Sequence, residues 1–493
     1  MTNLSDLFPA GAGKQVSFTA DGNITAAGKP VILNADGTAA QVGESSGNEG
    51  IGGPVVFEEA AATTMANVYD SNSNKMVIAY DDGGNSAYGT ARVGTVDGTS
   101  ITFGDPEVFD TNAAESIAAT FDSNSNKIVV AYRDGGTGYG YVVIGTVSGT
   151  DITFGTRVAF NSANTTGIGP NGIAFDPDTN QVVIAFRDDG NSDYGTAIVG
   201  AYDGGTSMTF GAEATIETDQ TSYHSVVYDT NTNRIVIAYR HDSGSGYGKA
   251  KVGEISGTSI TLGASTDFLG ASTSLIAATF DSSQNKVVIA YSGTSSYGTG
   301  IVGEVTGGVT NTIAFAGSEE VFNSASTGPI APAVFDTNLN KTIVGYCNSV
   351  APFYGYAVRG TVSGTAITFS TPFLIASTQV SATFGASYDA SSNNVVFSYR
   401  DVDNSNYGTA VVYTDSATNL TSTNFLGIAD AIIADTTSGN VTIKGGIAST
   451  GLSSLTPASD YYVQDDGTIT TVTSDVKAGK ALSATSINLE YQS

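Results

Sequence analysis

The amino-acid sequence predicts an all-β fold: a seven-bladed β-propeller of four-stranded blades, closed by an N-terminal strand, with a small β module at the two ends of the chain. The main observation is a stretch close to Phe-Asp-x-x-x-Asn-Lys, followed by four apolar residues and Tyr, that recurs at intervals of 52 to 55 residues. A fixed period of this size indicates a repeat architecture in which each unit packs on its neighbours. The motif aspartates are Asp70, Asp122, Asp176, Asp229, Asp281, Asp336 and Asp389.

The second repeat illustrates the elements of one unit. Residues 117–121, 127–132, 139–147 and 151–154 are rich in β-branched and aromatic residues, and Gly, Asn, Asp and Ser separate them. Such segments are typical of strands joined by turns. The order predicts an antiparallel meander of about four strands, which is the size of one propeller blade.

The second strand of each unit favours a propeller over an open sheet. In the second repeat, residues 128–131 are apolar at every position instead of alternating, which indicates a strand covered on both faces. Blades stacked around an axis bury both faces of such strands, whereas a single-layer solenoid leaves one face in water. The corresponding runs are residues 76–79, 182–185, 235–238 and 287–290.

A displaced strand predicts how the ring closes. Six repeats end with a short strand of the type x-Val-x-Phe, but the seventh lacks one, and an orphan copy at Pro54–Phe57 precedes the first repeat. We expect this strand to pair with the seventh repeat and remove the free edges of the array. The predicted domains are residues 1–50, an N-terminal β segment; 51–417, the propeller; and 418–493, a C-terminal β module.

The segments outside the repeats read as β hairpins. The first contains Gln15–Thr19 and Pro30–Leu33, and the second contains Phe425–Ala429 and Tyr461–Val463. Because ring closure brings the ends of the propeller together, we expect the two segments to form one β module. The alternative is an N-terminal arm with partial order.

Composition excludes several function classes. Asp and Glu number 47 against 19 Lys and Arg, for a net charge of −28, so we expect neither nucleic acid nor an anionic membrane as a partner. The single Cys347, with only His224 and His241, excludes a disulfide framework and a His/Cys zinc site. The first residues lack a signal-peptide pattern and no apolar run is long enough to span a bilayer, so we expect synthesis in a host cytoplasm.

A resemblance adds a biological setting. The runs Phe425-Leu-Gly-Ile-Ala-Asp-Ala, Leu452-Ser-Ser-Leu-Thr-Pro and Val476-Lys-Ala-Gly-Lys-Ala-Leu-Ser resemble a small β module found in tail-fibre-like and other structural proteins of tailed bacteriophages, particularly marine ones. Residues 28–42 resemble the N-terminal part of that module, and the repeats resemble those of uncharacterised phage virion proteins. The resemblance implies a virion component such as a tail fibre, a capsid decoration or another surface protein, and it carries over no catalytic residue.

The motif turns begin like calcium loops. They lack the Gly at the sixth position and the distal Glu of that motif, and an Asp or Asn side chain that caps its own turn needs no metal. We therefore expect neither a metal nor another cofactor, with calcium at some turns as the alternative. The calcium candidates are Asp70, Asn72, Asn74, Asp122, Asn124 and Asn126.

The loops after the second strands carry the candidate binding residues. Arg offers bidentate contacts and Tyr offers flat stacking area, so such a loop face can grip a sugar polymer or an anion. The simpler interpretation, which we favour, is a hairpin lock in which Tyr packs inward and Arg pairs with the adjacent Asp. The candidates are Arg133, Asp134, Tyr139, Arg187, Asp188, Tyr194, Arg240, Tyr247, Arg400, Asp401 and Tyr407, and Asp242 follows Arg240 at an offset of one residue.

The sequence predicts a non-enzymatic protein. A sialidase-like propeller requires Trp-containing boxes, and the chain has no Trp; other glycosidases require two opposed carboxylates, and no pair stands out. The predicted function is a bacteriophage virion structural protein, with the flanking module bound to other virion proteins and the propeller exposed. The alternative is a host-receptor or glycan-binding adhesion module of the tail, and a secreted enzyme or adhesin is a third interpretation. We also expect a homo-oligomer, with a trimer favoured.

Overall fold

A computed structural model describes residues 15–21, 23–34, 37–42, 49–243, 245–308, 311–415, 420, 422–464, 467–474 and 476–490. The fold is all-β, as the sequence predicts, and the helices in these residues are three short 3-10 turns at Gly83–Asn85, Asp189–Asn191 and Thr294–Ser296. None of the described helices has the length and apolar character required to cross a membrane. The chain divides into two compact units: residues 51–414, here called the repeat unit, and residues 1–50 with 415–493, here called the flanking unit.

The strands, numbered in chain order, have the following bounds. Before the first repeat lie β1 (Gln15–Thr19), β2 (Pro30–Leu33), β3 (Ala39–Gln41), β4 (Glu49–Ile51) and β5 (Val55–Ala61). The first four repeats contain β6 (Met65–Asp70), β7 (Lys75–Asp82), β8 (Tyr88–Asp97), β9 (Ser100–Phe103), β10 (Glu107–Asp122), β11 (Lys127–Asp134), β12 (Gly140–Ser148), β13 (Asp151–Phe154), β14 (Val158–Asn161), β15 (Thr165–Thr166), β16 (Ile173–Asp176), β17 (Gln181–Asp188), β18 (Tyr194–Tyr202), β19 (Met208–Phe210), β20 (Ala214–Asp229), β21 (Arg234–His241), β22 (Tyr247–Ser256), β23 (Ser259–Leu262) and β24 (Thr266–Ser272). The last three contain β25 (Ser274–Asp281), β26 (Lys286–Ser292), β27 (Tyr297–Thr306), β28 (Thr312–Ala314), β29 (Glu320–Ile330), β30 (Val334–Asp336), β31 (Lys341–Asn348), β32 (Gly355–Ser363), β33 (Ala366–Phe369), β34 (Phe373–Ala376), β35 (Val380–Asp389), β36 (Asn394–Asp401) and β37 (Tyr407–Asp415). The C-terminal strands are β38 (Phe425–Ala429), β39 (Ser438–Ile443), β40 (Ile447–Ala448), β41 (Asp460–Val463), β42 (Ile469–Thr470), β43 (Lys477–Ser483) and β44 (Ser486–Leu489).

Each repeat is an antiparallel meander whose outermost strand is divided in two. In the first repeat β6, β7 and β8 pair in order; β9 then pairs with the far end of β8, and the first half of β10 pairs with its near end. Gly104 separates the two pieces. A Cβ built on Gly104 would lie 2.1 Å from the backbone oxygen of Thr150 in the second repeat, so only glycine allows this approach.

Long strands carry the chain from one repeat to the next. The first half of β10 pairs with β8 of the first repeat and its second half pairs with β11 of the second, with irregular register between Glu115 and Ala118. β20 and β29 make the same crossing, so repeats one and two, three and four, and five and six share continuous sheets. A bulge therefore lies near the start of the inner strand in several repeats.

The core lies between adjacent repeats. Ile128 and Val130 of β11 pack in one cluster with Val77 of the first repeat, whereas Val129 and Ala131 pack in another cluster with Ile184 of the third. Successive residues of a strand point to opposite faces, so one strand serves two interfaces. The predicted coverage of the apolar strands on both faces is confirmed.

The N-terminal strand pairs with the seventh repeat. β5 is antiparallel to β37, with Val56 opposite Thr409 and Glu58 opposite Gly408, as the orphan strand predicts. The first and seventh repeats also share a core cluster that includes Ile78 and Val396.

The second piece of this outermost strand was not predicted. β4, which ends at Ile51 in the repeat unit, also borders β37, and Gly52 N donates to Val412 O at 2.9 Å. A Cβ on Gly52 would lie 1.6 Å from the oxygen of Thr99 in the first repeat, the same relationship as Gly104 to Thr150. The N-terminal segment thus supplies both pieces that the seventh repeat lacks.

The flanking unit combines strands from both ends of the chain. One sheet has the order β1-β39-β38-β2-β3 and the other has the order β40-β44-β43-β41-β42. The predicted hairpin of β1 with β2 is wrong, because β1 pairs with β39 instead. That pairing places Val16 and Phe18 against the cluster that contains Val441. The two segments form one β unit, as expected. The alternative, an N-terminal arm with partial order, is not tested for residues 1–14, which lie outside the described residues.

Candidate functional site

The predicted binding residues surround the turn between the second and third strands of their repeats. In the second repeat Arg133 and Asp134 end β11, and Tyr139 directly precedes β12. The other candidates occupy the same positions: Arg187, Asp188 and Tyr194 around β17 and β18; Arg240 and Tyr247 around β21 and β22; Arg400, Asp401 and Tyr407 around β36 and β37.

The aspartates hold the turns together. Asp134 Oδ1 accepts hydrogen bonds from Gly136 N and Thr137 N, at 2.7 and 3.1 Å. Asp188 Oδ1 accepts from Gly190 N at 3.0 Å, and Asp401 Oδ1 accepts from Asn404 N at 3.2 Å. An Asp that accepts from amides two or three residues later fixes a turn. These backbone contacts stabilise the hairpin, although the predicted lock assigned the aspartates to the arginines instead.

The arginines pair differently from the prediction. Arg133 donates to Glu115 of the neighbouring strand and to Asn164 Oδ1 at 3.0 Å, not to Asp134. Successive strand residues point to opposite faces, so Arg133 and Asp134 cannot face each other. The same correction applies to Arg187, whose Nε lies 2.6 Å from Asp189 Oδ1, and to Arg400, whose Nε donates to Ser381 Oγ at 2.9 Å.

Arg240 lies next to Asp242, the acidic residue that the sequence places one position further on than in repeats two, three and seven. Its Nε lies 3.0 Å from Asp242 Oδ1, although the angle is not that of a hydrogen bond and the Nε atom is buried without such a partner. About a third of the Arg240 side chain is exposed. Its guanidinium therefore keeps donor capacity at the surface of the fourth repeat.

Tyr139 does not pack inward as predicted, whereas Tyr194, Tyr247 and Tyr407 are half-buried. Tyr139 is 36% exposed and its equivalent Tyr297 is 38% exposed. The glycine after each tyrosine is the buried residue: a Cβ on Gly140 would lie 2.4 Å from the Phe160 ring. In the second repeat the Phe160 ring therefore covers Gly140, and the preceding Tyr139 lies partly in the solvent.

A polar cluster in the second repeat was missed by the sequence analysis. Arg157 donates to Asp110 and to Asp134, both almost fully buried, and its guanidinium lies 4.2 Å from the centre of the Tyr141 ring. Tyr132 Oη donates to Asp110 Oδ2 at 2.7 Å. Burial opposes ionisation of Asp134, but hydrogen bonds from Asn112 and Arg157 outweigh it and lower the pKa of Asp134 below its usual value.

The cluster is specific to one repeat. The position of Arg157 is filled in the other six repeats by Pro106, Glu213, Ser265, Glu319, Pro372 and, on the N-terminal strand that pairs with the seventh repeat, Pro54. Burial and the neighbouring Asp188 raise the pKa of Glu213. An alignment of the seven repeats would have revealed this position from the sequence, because only the second repeat carries a cation there.

The candidate residues of different repeats are not joined by polar contacts in the described structure. Within the described part of the chain, no hydrogen bond or ion pair joins the candidate residues of one repeat to those of another. The arrangement offers several related polar sites with exposed aromatic rings.

The aspartates among the calcium candidates accept hydrogen bonds from backbone amides of their own turns. Asp122 Oδ1 accepts from Asn124 N and Ser125 N at 3.0 and 2.9 Å, and Asn126 has a left-handed φ of 55°. The turn of Asp70, Asn72 and Asn74 has the same form. No cluster of three His, Cys, Asp or Glu suited to a metal is present among the residues whose placement is described. These contacts favour the capping interpretation.

Comparison with known proteins identifies little. No family model matches the sequence, and no curated protein matches it. Among solved structures, the chain is similar to the SapL1 lectin in complex with alpha methyl fucoside, with a TM-score of 0.39 and 14% identity over 62% of this chain and 95% of the lectin. A TM-score of this size assigns neither a fold nor a ligand to this chain.

Proposed function

We propose that this chain is a non-enzymatic structural protein of a bacteriophage particle, in which the flanking unit attaches to other virion proteins and the repeat unit is displayed. The observation that carries the proposal is the insertion of the whole repeat unit between β3 and β38, two strands of the flanking unit. Such a chain has one part built from both ends and one part built from tandem repeats. The resemblance of the flanking segments to a phage structural module supplies the setting.

We infer that the repeat unit is a closed seven-bladed propeller. Aromatic pairs support it: Phe109 with Tyr132, Phe268 with Tyr291 and Phe322 with Tyr346 each join one repeat to the next, at 5.1 to 5.2 Å between ring centres. Phe57 and Tyr80 repeat this contact at 5.1 Å. Since the strand of Phe57 pairs with the seventh repeat and Tyr80 belongs to the first, the contact favours a ring.

Exposed apolar side chains support an attachment role for the flanking unit. Ile432 and Val472 are 72% and 66% exposed, and Leu482 and Ile447 are about half exposed. Large apolar side chains left in water are costly and mark contact surfaces when they lie together. Self-association through this unit is part of the proposal, with a trimer favoured.

The test is the composition of purified particles. The proposal predicts that peptides of this chain are found by mass spectrometry in virions purified through a density gradient, and that a ring-shaped density of seven blades fits the particle in electron cryomicroscopy. Density at the head indicates a decoration protein, and density at the tail indicates an appendage. Particles that lack the chain contradict the virion role.

A second candidate function is glycan binding by the repeat unit. The exposed Tyr139 and Tyr297 rings favour it, since stacking on an aromatic face is one way that proteins hold sugar rings. The expected result is adhesion of the purified protein to host cells and competition by their surface polysaccharide. No adhesion at high local density removes this candidate and leaves the structural role unaffected.

A further inference from the structure

One backbone bulge recurs in the inner strands of repeats two to five. At its centre the chain takes a left-handed conformation, with φ of 50° at Ser116, 67° at Gly167, 53° at Tyr223 and 56° at Leu275. The register irregularities after Glu115, Ser222 and Ser274 mark the same feature. The bulge is thus a property of the repeat, and the residue at its centre varies.

Tyrosine is an unfavourable residue at this position. Left-handed backbone brings Cβ close to the following carbonyl, so glycine adopts it without strain and a bulky side chain does not. Gly167 fills the position in the third repeat, but the fourth repeat carries Tyr223. A strained residue is a reason to look for a function at that place.

Core packing does not account for Tyr223. Its side chain is 37% exposed, whereas the nearby Thr221 and His224 are fully buried. His224 is held by hydrogen bonds to Gly167 O and Thr221 Oγ1, at 2.8 and 2.9 Å. The buried neighbours fix the backbone, and the tyrosine ring faces the solvent.

Polar groups lie beside the bulge. Ser222 is the strand partner of Arg240, and Ser222 Oγ donates to Asp242 Oδ1 at 2.9 Å. Arg240 Nε lies 3.0 Å from the same oxygen and makes no hydrogen bond with the described residues. Tyr223 therefore directly follows a serine that is the strand partner of the cation Arg240 and that donates to the carboxylate Asp242.

The bulge of the fifth repeat lies next to the bulge of the fourth. Ser225 Oγ accepts a hydrogen bond from Ala278 N at 2.9 Å, which links the two inner strands just after their bulges. Leu275 is the bulge residue there, so two adjacent repeats both place a large apolar side chain on strained backbone. The other two bulges carry Ser116 and Gly167.

We propose that Tyr223 is the stacking platform of a carbohydrate site for a neutral pyranose, with Arg240 and Asp242 as its polar partners and Leu275 at its edge. The proposal rests on the second candidate function, glycan binding. A sugar ring offers C–H groups to an aromatic face and hydroxyls to a fixed cation and carboxylate. The net charge of −28 disfavours an acidic sugar.

The test compares Tyr223→Gly with wild type. Saturation-transfer NMR is recorded with the methyl pyranosides of glucose, galactose and mannose, and melting temperatures are measured in parallel. The expected result is binding of at least one glycoside by wild type, about tenfold weaker binding by the variant, and an unchanged or higher melting temperature. Ser116→Gly is the matched control, since it also introduces glycine at the centre of the equivalent bulge, in the second repeat, and should keep binding intact.

Several outcomes overturn the assignment. Equal binding by Tyr223→Gly rejects Tyr223 as the platform but leaves glycan binding standing, whereas no binding of the three glycosides by a wild-type protein that adheres to cells rejects the neutral pyranose. Failure of wild type to adhere at all rejects the second candidate function and this site with it. If Tyr223→Gly does not fold, the tyrosine is structural and the site is rejected unless Tyr223→Asn, which tolerates left-handed backbone, folds and loses binding.

Discussion

The ring of Phe57 packs directly over Gly408, although the two residues lie near opposite ends of the repeat unit in sequence. A Cβ built on Gly408 would lie 2.6 Å from Phe57 Cε2. Phe109 covers Gly89 in the same way, with 2.3 Å to Cε2, but there the two residues belong to one continuous repeat. In the seventh repeat the strand that carries this Phe therefore comes from the start of the repeat unit, whereas in the first repeat it follows directly in sequence.

Removal of this ring is predicted to destabilise the whole repeat unit. Phe57 is fully buried, so Phe57→Ala should lower the free energy of unfolding by about 3–5 kcal/mol. The matched control is Phe109→Ala, which deletes the equivalent ring. Chemical denaturation should give similar losses for the two variants, and a Phe57→Ala protein as stable as wild type would show that the N-terminal strand is dispensable.

Arg157 is predicted to contribute more to the free energy of unfolding than Arg133 does. Arg157→Met leaves Asp110 and Asp134 buried without their shared cation, which should cost about 3 kcal/mol at neutral pH. The loss should shrink as the pH falls below about 4. Arg157 helps to lower the pKa of Asp134 in the folded wild type, so its stabilising effect is present while Asp134 is ionised and is lost once Asp134 takes up a proton. Arg133→Met, which breaks a pair with the exposed Glu115, should cost less than about 1 kcal/mol.

Acid is predicted to weaken the fold through His224. Burial lowers the pKa of His224 from 6.5 to about 4, so the unfolded chain takes up a proton at a higher pH than the folded one. The contribution of neutral His224 to the free energy of unfolding is fully present above pH 6.5. It is lost as the pH falls towards 4, by about 3 kcal/mol in total. Denaturation of His224→Gln should therefore show a flatter pH dependence than wild type over this range, and His241→Gln provides the control for the substitution.

Calcium is predicted to have no effect on stability. The Asp122 carboxylate already accepts hydrogen bonds from its own turn, so chelation followed by added calcium should leave the melting temperature unchanged. Asp122→Ala should lower the free energy of unfolding by about 1 kcal/mol, since it removes the turn contacts. A rise in melting temperature with calcium that Asp122→Ala abolishes would restore the calcium interpretation.

The sequence was most informative where one residue pattern had one physical meaning. The unbroken apolar run at residues 128–131 predicted burial on both faces, and the orphan strand Pro54–Phe57 predicted pairing with the seventh repeat. β4 was missed because Glu49-Gly50-Ile51 has neither the length nor the alternation of a recognisable strand. The motif period locates repeats, but it does not reveal three-residue strands.

Side-chain partners were harder to predict than strands. Adjacency of Arg133 and Asp134 in sequence suggested an ion pair, but strand alternation sends them to opposite faces, where Glu115 and Arg157 meet them. Tyr223 was missed for a different reason. Its strained backbone is visible only in the dihedral angle, because the same bulge accepts Ser, Gly or Leu in other repeats.

We infer that the N-terminal strand closes the ring, and cysteine cross-linking tests this closure most directly. Val56 and Thr409 are strand partners, as are Val108 and Thr90 within the first repeat, and the separation of such partners suits a disulfide. Oxidation of Val56→Cys with Thr409→Cys should give an intrachain disulfide as completely as Val108→Cys with Thr90→Cys, as detected by mass spectrometry of linked peptides. Closure of the control pair alone, with residues 56 and 409 left reduced or linked between chains, would contradict the ring.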